Sequence, residues 1–441
     1  MPMSESAIFN LKVVMKETGI KADVLRAWER RYGLPKPQRT EGGHRLYSQR
    51  DIETIKWLIA RQNEGMSISH AVELWMEMTA NSRDPLIEAR RQDGVVPVAM
   101  ATGLRQPTLE TLRNEWVDGC LAFNEVTADQ ALNQAFAFHP VETVCVELLQ
   151  SGLVQIGALW YRNRATVQQE HFASGLAMRR LDTLMAACPA PTRSQTILLG
   201  CPPGESHTLT ALLLALFLRR RGLRVVNLGA DVPRARFEDT VNAVQADMVV
   251  LVAQQLITAA SLQQVAAGLS ALQIKVGFGG RIFSVQPELV RRIAGYFLGN
   301  NLEGAVGGID LLLAVPPGAP QPVLPSAEYV EAVQAFLSRR VFIDAQMDEK
   351  ASTGKVPLDY LYTANQFLGD NITAALRLGD MAYLDAEISW LHELLRHQLM
   401  PGGLVRYYLE MYTEVVRHQL GGHARPVVHW LERQIETSEN L

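Results

Sequence analysis

The stretch CPPGESHTLTALLLALFLRRRGLRVVNLGADVP, residues 201–233, indicates the fold of the central part of the chain. It runs from a proline-glycine turn into an apolar helix, which a glycine closes, and on to a short strand. The apolar segment TILLGC precedes it, and strand and helix patterns go on alternating to about residue 315. Such alternation predicts a parallel sheet with helices on both faces.

His207 follows the first predicted strand, at the edge where sheets of this kind bind ligands. The start of a helix disfavours a protonated imidazole, so the residue needs an explanation. The loop contains neither GxGxxG nor GxxxxGK[ST], which leaves little support for a phosphate-binding loop. A histidine without a ligand is the alternative for an isolated case.

Composition restricts the class of protein. A length of 441 residues predicts several domains, and a net charge of -4 excludes a generally basic nucleic-acid coat. Four cysteines lie far apart without CxxC spacing, which is typical of reduced intracellular thiols. We find neither a secretory signal nor a stretch approaching the ~20 apolar residues of a membrane helix. We therefore expect a cytoplasmic protein without a membrane partner.

Residues 8–80 predict a DNA-binding head. The helix LKVVMKETGI stops at a glycine, and a second helix, ADVLRAWERRYG, begins within three residues, which is helix-turn-helix spacing. Residues 21–50 hold eight Lys and Arg against three Asp and Glu, and 8 − 3 is a local surplus of +5. GLPKPQRTEGGHRLY then predicts a hairpin wing. A solvated basic helix face is the alternative interpretation.

The segments VLRAWERRYGLP and GGHRLYSQRDI together resemble the winged helix-turn-helix of the MerR family of transcription regulators. The resemblance implies a double-stranded DNA operator as partner. It also implies a homo-oligomer, a dimer or tetramer, because such heads work in pairs. Contacts to phosphates position a protein on DNA, and contacts to base edges specify the site. The residues implied for both are Arg26, Arg30, Tyr32, His44, Arg45 and Tyr47.

Apolar residues recur at helical spacing between residues 108 and 190 and predict a bundle of four or five helices. Within it, Trp160 precedes the adjacent pair Glu170 and His171. In a soluble bundle a lone Trp is usually a core residue, and a Glu-His pair usually lies on the surface.

Glu205-Ser206-His207, upstream of Gly279-Gly280 in the same predicted sheet, resembles the D/E-x-H-x-x-G loop of the cobalamin-binding domain. The resemblance implies that His207 is the lower axial ligand of cobalt and that Glu205 orients it, with the glycine pair admitting the nucleotide tail. Two positions depart from the family: Thr210 replaces the final glycine, and Gln254-Gln255-Leu256 replaces a Ser-x-Leu segment. The residues implied to contact the cofactor here are Glu205, Ser206, His207, Gln254, Leu256, Gly279 and Gly280.

Trp160, Glu170 and His171 also match the W-x9-E-H signature of light-sensing cobalamin repressors of the CarH and LitR type. The resemblance implies adenosylcobalamin as the cofactor, with Trp160 and Glu170 against the adenosyl group. His171 would ligate cobalt after light removes that group. The predicted protein is a light-responsive regulator, a repressor, whose assembly and DNA affinity change on photolysis.

Two other function classes are weighed against this prediction. One is a regulator with a degenerate cobalamin fold that senses haem, a bilin or a partner protein. The other is a cobalamin-dependent enzyme, which is disfavoured because the chain has no run of eight strand-helix units. We therefore predict that the protein is not an enzyme.

A proline-rich linker precedes a helical C-terminal region that carries no recognised motif. It holds half of the ten histidines, namely His392, His397, His418, His423 and His429. They invite a second tetrapyrrole, but surface histidines on a bundle for oligomerisation or a protein partner are the favoured explanation.

The predicted fold class is multidomain α and α/β. The predicted order is a winged helix-turn-helix domain (1–80), a linker (81–107), a four-helix cap bundle (108–190), a Rossmann-like cobalamin-binding α/β domain (191–318) and a C-terminal all-helical domain (319–441).

Overall fold

The structure is a computed structural model. It describes residues 9–39, 43, 45–63, 66–80, 84–86, 107–314, 318, 320–352, 358–388 and 403–438. The chain divides into two compact units, residues 1–106 and 107–441, and each is described by itself.

The first unit is a helix-turn-helix with a small antiparallel sheet of order β1-β3-β2. Gly19 and Gly33 each end a helix in the left-handed conformation, and Gly19 makes the turn between the first two helices short. The pairing of β2 with β3 forms the wing, which confirms the predicted architecture. The elements are β1 (Phe9–Asn10), α1 (Leu11–Thr18), α2 (Ala22–Tyr32), β2 (Gln38–Arg39), β3 (Arg45–Tyr47), α3 (Gln49–Asn63) and α4 (Ile68–Ala80).

Within the continuously described stretch 107–314, the second unit begins with a bundle of four helices. Thr108, Asn124 and Thr166 each accept a hydrogen bond from a backbone N–H of the helix they cap. The indole of Trp116 is fully buried against Gly152, where a Cβ would lie 2.8 Å from the ring. The helices are α5 (Leu109–Leu121), α6 (Glu125–Phe138), α7 (Val141–Tyr161) and α8 (Val167–Ala186).

Helix α7 is long and apolar enough to cross a membrane by length and composition, which the sequence analysis did not expect. Its Val144–Gln150 stretch is π-helical. Cys145, Leu148 and Ile156 are fully buried in the core that the bundle shares with the sheet. Because the core helix of a bundle passes the same test, this one helix is weak evidence for a membrane span.

A five-stranded parallel sheet of order β5-β4-β6-β7-β8 follows the bundle. Strands β4 and β6 are buried along their whole length. The chain order reverses between them, and the crevice beyond their carboxyl ends is where such sheets bind ligands. The elements are β4 (Thr196–Gly200), α9 (Leu209–Arg220), β5 (Arg224–Asn227), α10 (Phe237–Val244), β6 (Met248–Val252), α11 (Leu256–Ala271), β7 (Val276–Gly279), α12 (Arg281–Val285), β8 (Tyr296–Phe297) and α13 (Leu302–Ala314).

The C-terminal helices pack on the helix layer that covers one face of this sheet, chiefly on α11. One continuous core contains sheet residues such as Val249 and Phe278 together with Phe336, Ile372 and Trp430 from these helices. The cap bundle, α9 and α13 belong to a second core with the other face. The C-terminal helices are therefore a layer of the same compact unit. They are α14 (Ala327–Ser352), α15 (Leu358–Leu378), α16 (Gly403–Leu420) and α17 (Arg425–Ser438).

Candidate functional sites

Glu205 is the centre of the site at the carboxyl edge of the sheet. Its side chain is 0% exposed and accepts four hydrogen bonds. His207 donates from its backbone N (2.9 Å) and from Nδ1 (2.7 Å) to Oε1. Gln254 N (2.7 Å) and Thr258 Oγ1 (2.6 Å) donate to Oε2. Burial by itself raises the pKa of a carboxyl, but these bonds outweigh burial and hold the pKa of Glu205 below its ordinary value.

His207 is held at one nitrogen and open at the other. The hydrogen bond from Nδ1 to Glu205 fixes the ring, while the side chain stays 58% exposed at the loop surface. That bond raises the pKa of His207 against the opposing effect of burial. A carboxylate on Nδ1 selects the tautomer whose Nε2 lone pair is available to a metal. This arrangement is compatible with the predicted role of His207 as an axial ligand of cobalt.

Gln254 joins the His207 loop to the glycine pair. Its backbone N binds Glu205, and its Oε1 accepts from the backbone N of Arg281 at 3.0 Å. Its Nε2 is buried without a hydrogen-bond partner. A buried donor left unpaired costs free energy, so this atom fits an acceptor supplied by a bound molecule.

The glycine pair Gly279–Gly280 has two different roles. Gly280 has φ +123°, and a Cβ there would overlap the carbonyl of Ala253, so the backbone itself requires glycine. A Cβ at Gly279 would meet nothing within 4 Å, which leaves open space at the end of β7. The open side of Gly279 suits the close approach of a ligand.

The other predicted contacts on this edge differ in exposure. Ser206 is exposed beside His207, whereas Leu256 is fully buried as the first residue of α11 and packs in the core. Thr210 is half-buried as the second residue of α9. The predicted contact of Leu256 with the cofactor does not fit this burial, and the side chain instead packs beneath the site. Sequence reasoning missed Thr258, because a threonine inside an apolar helix carries no signal of its distant carboxylate partner.

The predicted upper site lies on the bundle. His171 Nδ1 contacts Glu170 Oε2 at 2.9 Å, and Ser174 Oγ donates to Glu170 Oε1 at 2.7 Å. His171 is 75% exposed and Trp160 is half-buried at the end of α7. The charge of Glu170 contributes to the raised pKa of His207, after the larger effect of Glu205. The bundle pair and the sheet histidine therefore lie within electrostatic reach of each other.

The head presents part of its predicted DNA surface. Arg26 and Arg30 are exposed on α2, and Arg26 pairs only loosely with Asp23, at 3.7 Å. Tyr32 is half-buried at the end of the same helix, with its hydroxyl 3.1 Å from Ser69 Oγ. His44 lies outside the described residues. The two exposed guanidinium groups are placed as the prediction requires.

Arg45 and Tyr47 on the wing point to Glu29 of the second helix. Tyr47 is 0% exposed and donates to Glu29 Oε1 at 2.6 Å, while Arg45 Nε donates to Oε2 at 2.8 Å. Burial, followed by the bond to Glu29, raises the pKa of Tyr47. This geometry corrects the predicted direct DNA contact of Tyr47, because its ring and hydroxyl are used to hold the wing on α2. The role of Glu29 was not predicted.

The C-terminal histidines that the structure describes are on the surface. His418, His423 and His429 are exposed, and His423 lies 3.7 Å from Glu331. His392 and His397 lie outside the described residues. The described histidines agree with the surface explanation and lend no support to a second tetrapyrrole.

Three family models match the chain. The MerR HTH family regulatory protein model matches residues 9–76, and two B12 binding domain models match residues 112–185 and 195–300. These matches end before the C-terminal helices begin. The solved monomethylamine corrinoid protein of Methanosarcina barkeri is 17% identical, covering 46% of this chain and 100% of its own, with a TM-score of 0.40.

Two curated relatives are similar over most of their own length. The HTH-type transcriptional repressor CarH of Myxococcus xanthus is 30% identical over 244 residues, which are 55% of this chain and 77% of the relative. The repressor CarA of the same organism is 34% identical over 247 residues, 55% of this chain and 75% of the relative. Both are transcriptional repressors, so the chain is a transcription regulator and not an enzyme. It belongs to the family of MerR-type, B12-binding transcriptional repressors that includes CarH and CarA.

Proposed function

We propose that the chain is a light-responsive repressor that uses adenosylcobalamin. The observation that carries the proposal is the imidazole of His207, fixed at Nδ1 by a fully buried carboxylate and open at Nε2. A second Glu-His pair, Glu170 and His171, lies on the bundle within electrostatic reach of it.

In this proposal the residues of the sheet hold the cofactor from below. His207 would hold cobalt through Nε2, and Glu205 keeps the ring in the orientation and tautomer that such binding needs. Gln254 Nε2, which is buried and unpaired, donates to an acceptor of the nucleotide tail. The open side of Gly279 leaves room for that tail.

The residues of the bundle cover the upper face. When bound, adenosylcobalamin supplies a cobalt–carbon bond that light breaks. Trp160 and Glu170 are the residues that would hold the adenosyl group, Trp160 through its ring and Glu170 through its carboxylate. His171 is exposed and attached to the bundle through one carboxylate, so it can move toward the upper face when the group leaves. A helix with two positions is what a switch requires.

The helix-turn-helix head binds DNA and would transmit the light response to it. We propose that Arg26 and Arg30 contact the operator and that two or four copies bind it together, with light changing this assembly. The protein acts in the cytoplasm in this proposal, as the sequence predicts.

The test is a DNA-binding titration of the full chain, loaded with adenosylcobalamin in the dark and repeated after illumination with visible light. Absorption spectra recorded alongside should show cobalamin bands that change with light, and the affinity for an operator fragment should change with them. The variant Arg26→Ala with Arg30→Ala should keep the spectra and lose DNA affinity, with a salt slope reduced by about one per lost phosphate contact.

An absence of cobalamin bands in the loaded protein would contradict the cofactor. Bands that ignore light, or DNA affinity that is the same in both states, would contradict the light response and leave a light-independent B12-binding repressor.

A further inference from the structure

We call the part of the candidate cofactor site formed by Gln254 and Gly279 the tail pocket. The segment that begins with Gly280, residues 280–292, joins the tail pocket to the C-terminal helices. We call it the connecting segment. It contains α12 and a short 3-10 helix, Pro287–Arg292. One of its ends borders the cofactor site, and the other contacts the part of the chain for which no function is assigned.

The first end is fixed by backbone geometry. Gly280 packs on the carbonyl of Ala253 so closely that no Cβ fits. The backbone N of Arg281 donates to Gln254 Oε1 at 3.0 Å, which orients the same amide whose Nε2 is unpaired. A displacement of this end therefore moves both the edge of the tail pocket and its free donor.

The middle of the connecting segment is packed against the sheet. Ile282 and Phe283 are 1% exposed, and the Phe283 ring lies 4.9 Å from the Phe278 ring at 64°. Close packing at these two positions leaves little free space to absorb a shift, so a displacement at one end is passed toward the other.

The second end is held by the C-terminal region. Gln286 Nε2 donates to the carbonyl of Tyr383 at 2.9 Å. The Arg292 guanidinium donates to the Tyr383 hydroxyl at 3.2 Å, to the Gly379 carbonyl at 3.4 Å and to carbonyls of residues 323–324 at 3.3 and 3.4 Å. Gly379 has φ +82°, and a Cβ there would lie 2.9 Å from the backbone of the linker. One arginine thus joins three separate parts of the chain.

Charge connects the same parts. Burial raises the pKa of Glu387, which follows Tyr383 in the C-terminal region, and the positive charge of Arg281 opposes that rise. Glu387 therefore lies within electrostatic reach of Arg281, the residue that follows the glycine pair.

We propose that Arg292 and Tyr383 are positioning residues of the nucleotide-tail pocket, through which the C-terminal helices hold the connecting segment in the conformation that accepts the tail. The inference rests on the proposed cobalamin function. Neither side chain needs to touch the cofactor. Their contribution is preorganisation, because a pocket edge that is already ordered loses less conformational entropy when the tail enters.

The test compares cobalamin with cobinamide, a corrinoid that has the corrin ring and cobalt but no nucleotide tail. Both are titrated in the dark into the full chain and into the variants Arg292→Ala and Tyr383→Phe, with binding followed by absorption. Arg292→Ala should weaken cobalamin binding about tenfold, and Tyr383→Phe, which removes only the hydroxyl, about threefold. Cobinamide binding should stay within about twofold of wild type for both variants.

The matched control is Arg291→Ala, since Arg291 is the adjacent, exposed arginine, its side chain pairs with Glu288 on the surface, and the substitution keeps the backbone carbonyl that accepts from Val323. It should leave both affinities unchanged. The tail-specific loss is the readout that a merely structural role does not produce.

Equal losses for cobalamin and cobinamide would overturn the inference, since they indicate general damage to the domain. The inference would also be overturned if both single variants, Arg292→Ala and Tyr383→Phe, bound cobalamin with wild-type affinity. A wild-type chain that binds neither corrinoid contradicts the proposed function itself, and the inference with it.

Discussion

Two Glu-His pairs of this protein share a contact but differ in their surroundings. In the sheet, His207 Nδ1 lies 2.7 Å from Glu205, and in the bundle His171 Nδ1 lies 2.9 Å from Glu170. Glu205 is completely buried and accepts from four donors, whereas Glu170 is 35% exposed and accepts from Ser174 besides its histidine. The same chemistry is therefore fixed in one place and loosely held in the other.

The difference follows from burial. An unpaired carboxylate inside a protein is costly, so a buried one survives only with a full set of donors, and that set fixes the position of each donor. An exposed carboxylate is stabilised by water and leaves its partner free to move. A permanent ligand needs the first environment, and a ligand recruited during a switch needs the second.

The largest effect is expected when the buried pair is broken. Glu205→Gln removes a charged acceptor from four donors and should lower the free energy of unfolding of the apoprotein by about 3 kcal/mol. The matched variant Glu170→Gln should change it by no more than about 0.5 kcal/mol, because this pair is partly solvated. Urea unfolding followed by circular dichroism measures both. If both variants lost the same unfolding free energy, burial would not be the reason why the two pairs differ.

His207→Ala should weaken cobalamin binding by at least about tenfold and leave the cobalt without a protein lower ligand. The reason is that Glu205 holds the ring at Nδ1, which leaves Nε2 as the nitrogen offered to a metal. Magnetic resonance of the Co(II) form measures the axial nitrogen directly. An axial-nitrogen signature that survives in the variant would show that another residue binds cobalt.

The pH dependence of stability should follow Glu205. Its pKa in the folded state lies below the ordinary value of 4.5, so its contribution is fully present above pH 4.5 and disappears as the pH falls through the folded pKa. The hydrogen bond to Glu205 raises the pKa of His207, so the stability that a protonated His207 contributes is fully present below pH 6.5 and disappears as the pH rises through the folded pKa. The difference in unfolding free energy between wild type and Glu205→Gln should therefore be largest between pH 4.5 and pH 6.5 and should narrow on both sides of that range. Urea unfolding at a series of pH values measures it. A difference that stays constant down to the acid transition would be inconsistent with the lowered pKa.

The smallest effect in the dark is expected for His171→Ala. Cobalamin binding and photolysis should stay close to wild type, because the exposed imidazole supports neither the fold nor the lower site. After illumination the product should lose its two-histidine spectrum and release the chromophore faster. His171→Ala protein with a wild-type illuminated spectrum would show that the switch does not use this residue.

Much of the site was predictable from the order of the residues. The E-x-H spacing places Glu205 and His207 in one loop, and the alternation of strands and helices places that loop at the carboxyl edge of a parallel sheet. The resemblance to the MerR head implies that Arg26 and Arg30 contact DNA, and both are exposed, as such a contact needs. These features depend on neighbours in the chain, which a single sequence displays.

Other features depend on which distant segments meet. Tyr47 lies in a wing motif, but only the packed head shows that its hydroxyl is used by Glu29 inside the protein. Thr258, 53 positions further along the chain, donates its hydroxyl to the Glu205 carboxylate. The Nε2 atom of Gln254 is buried without a hydrogen-bond partner.

The sequence by itself determined the head, the bundle, the sheet and the two Glu-His pairs, because local spacing and hydrophobic periodicity encode them. The tertiary structure decided which pair is rigid, since burial depends on everything that packs around a side chain. It also decided that the C-terminal helices, which the sequence predicts as a separate domain, share a core with the sheet and that the C-terminal region contacts Arg292, at the far end of the connecting segment. Contacts between segments so far apart in sequence leave no pattern in any one of them.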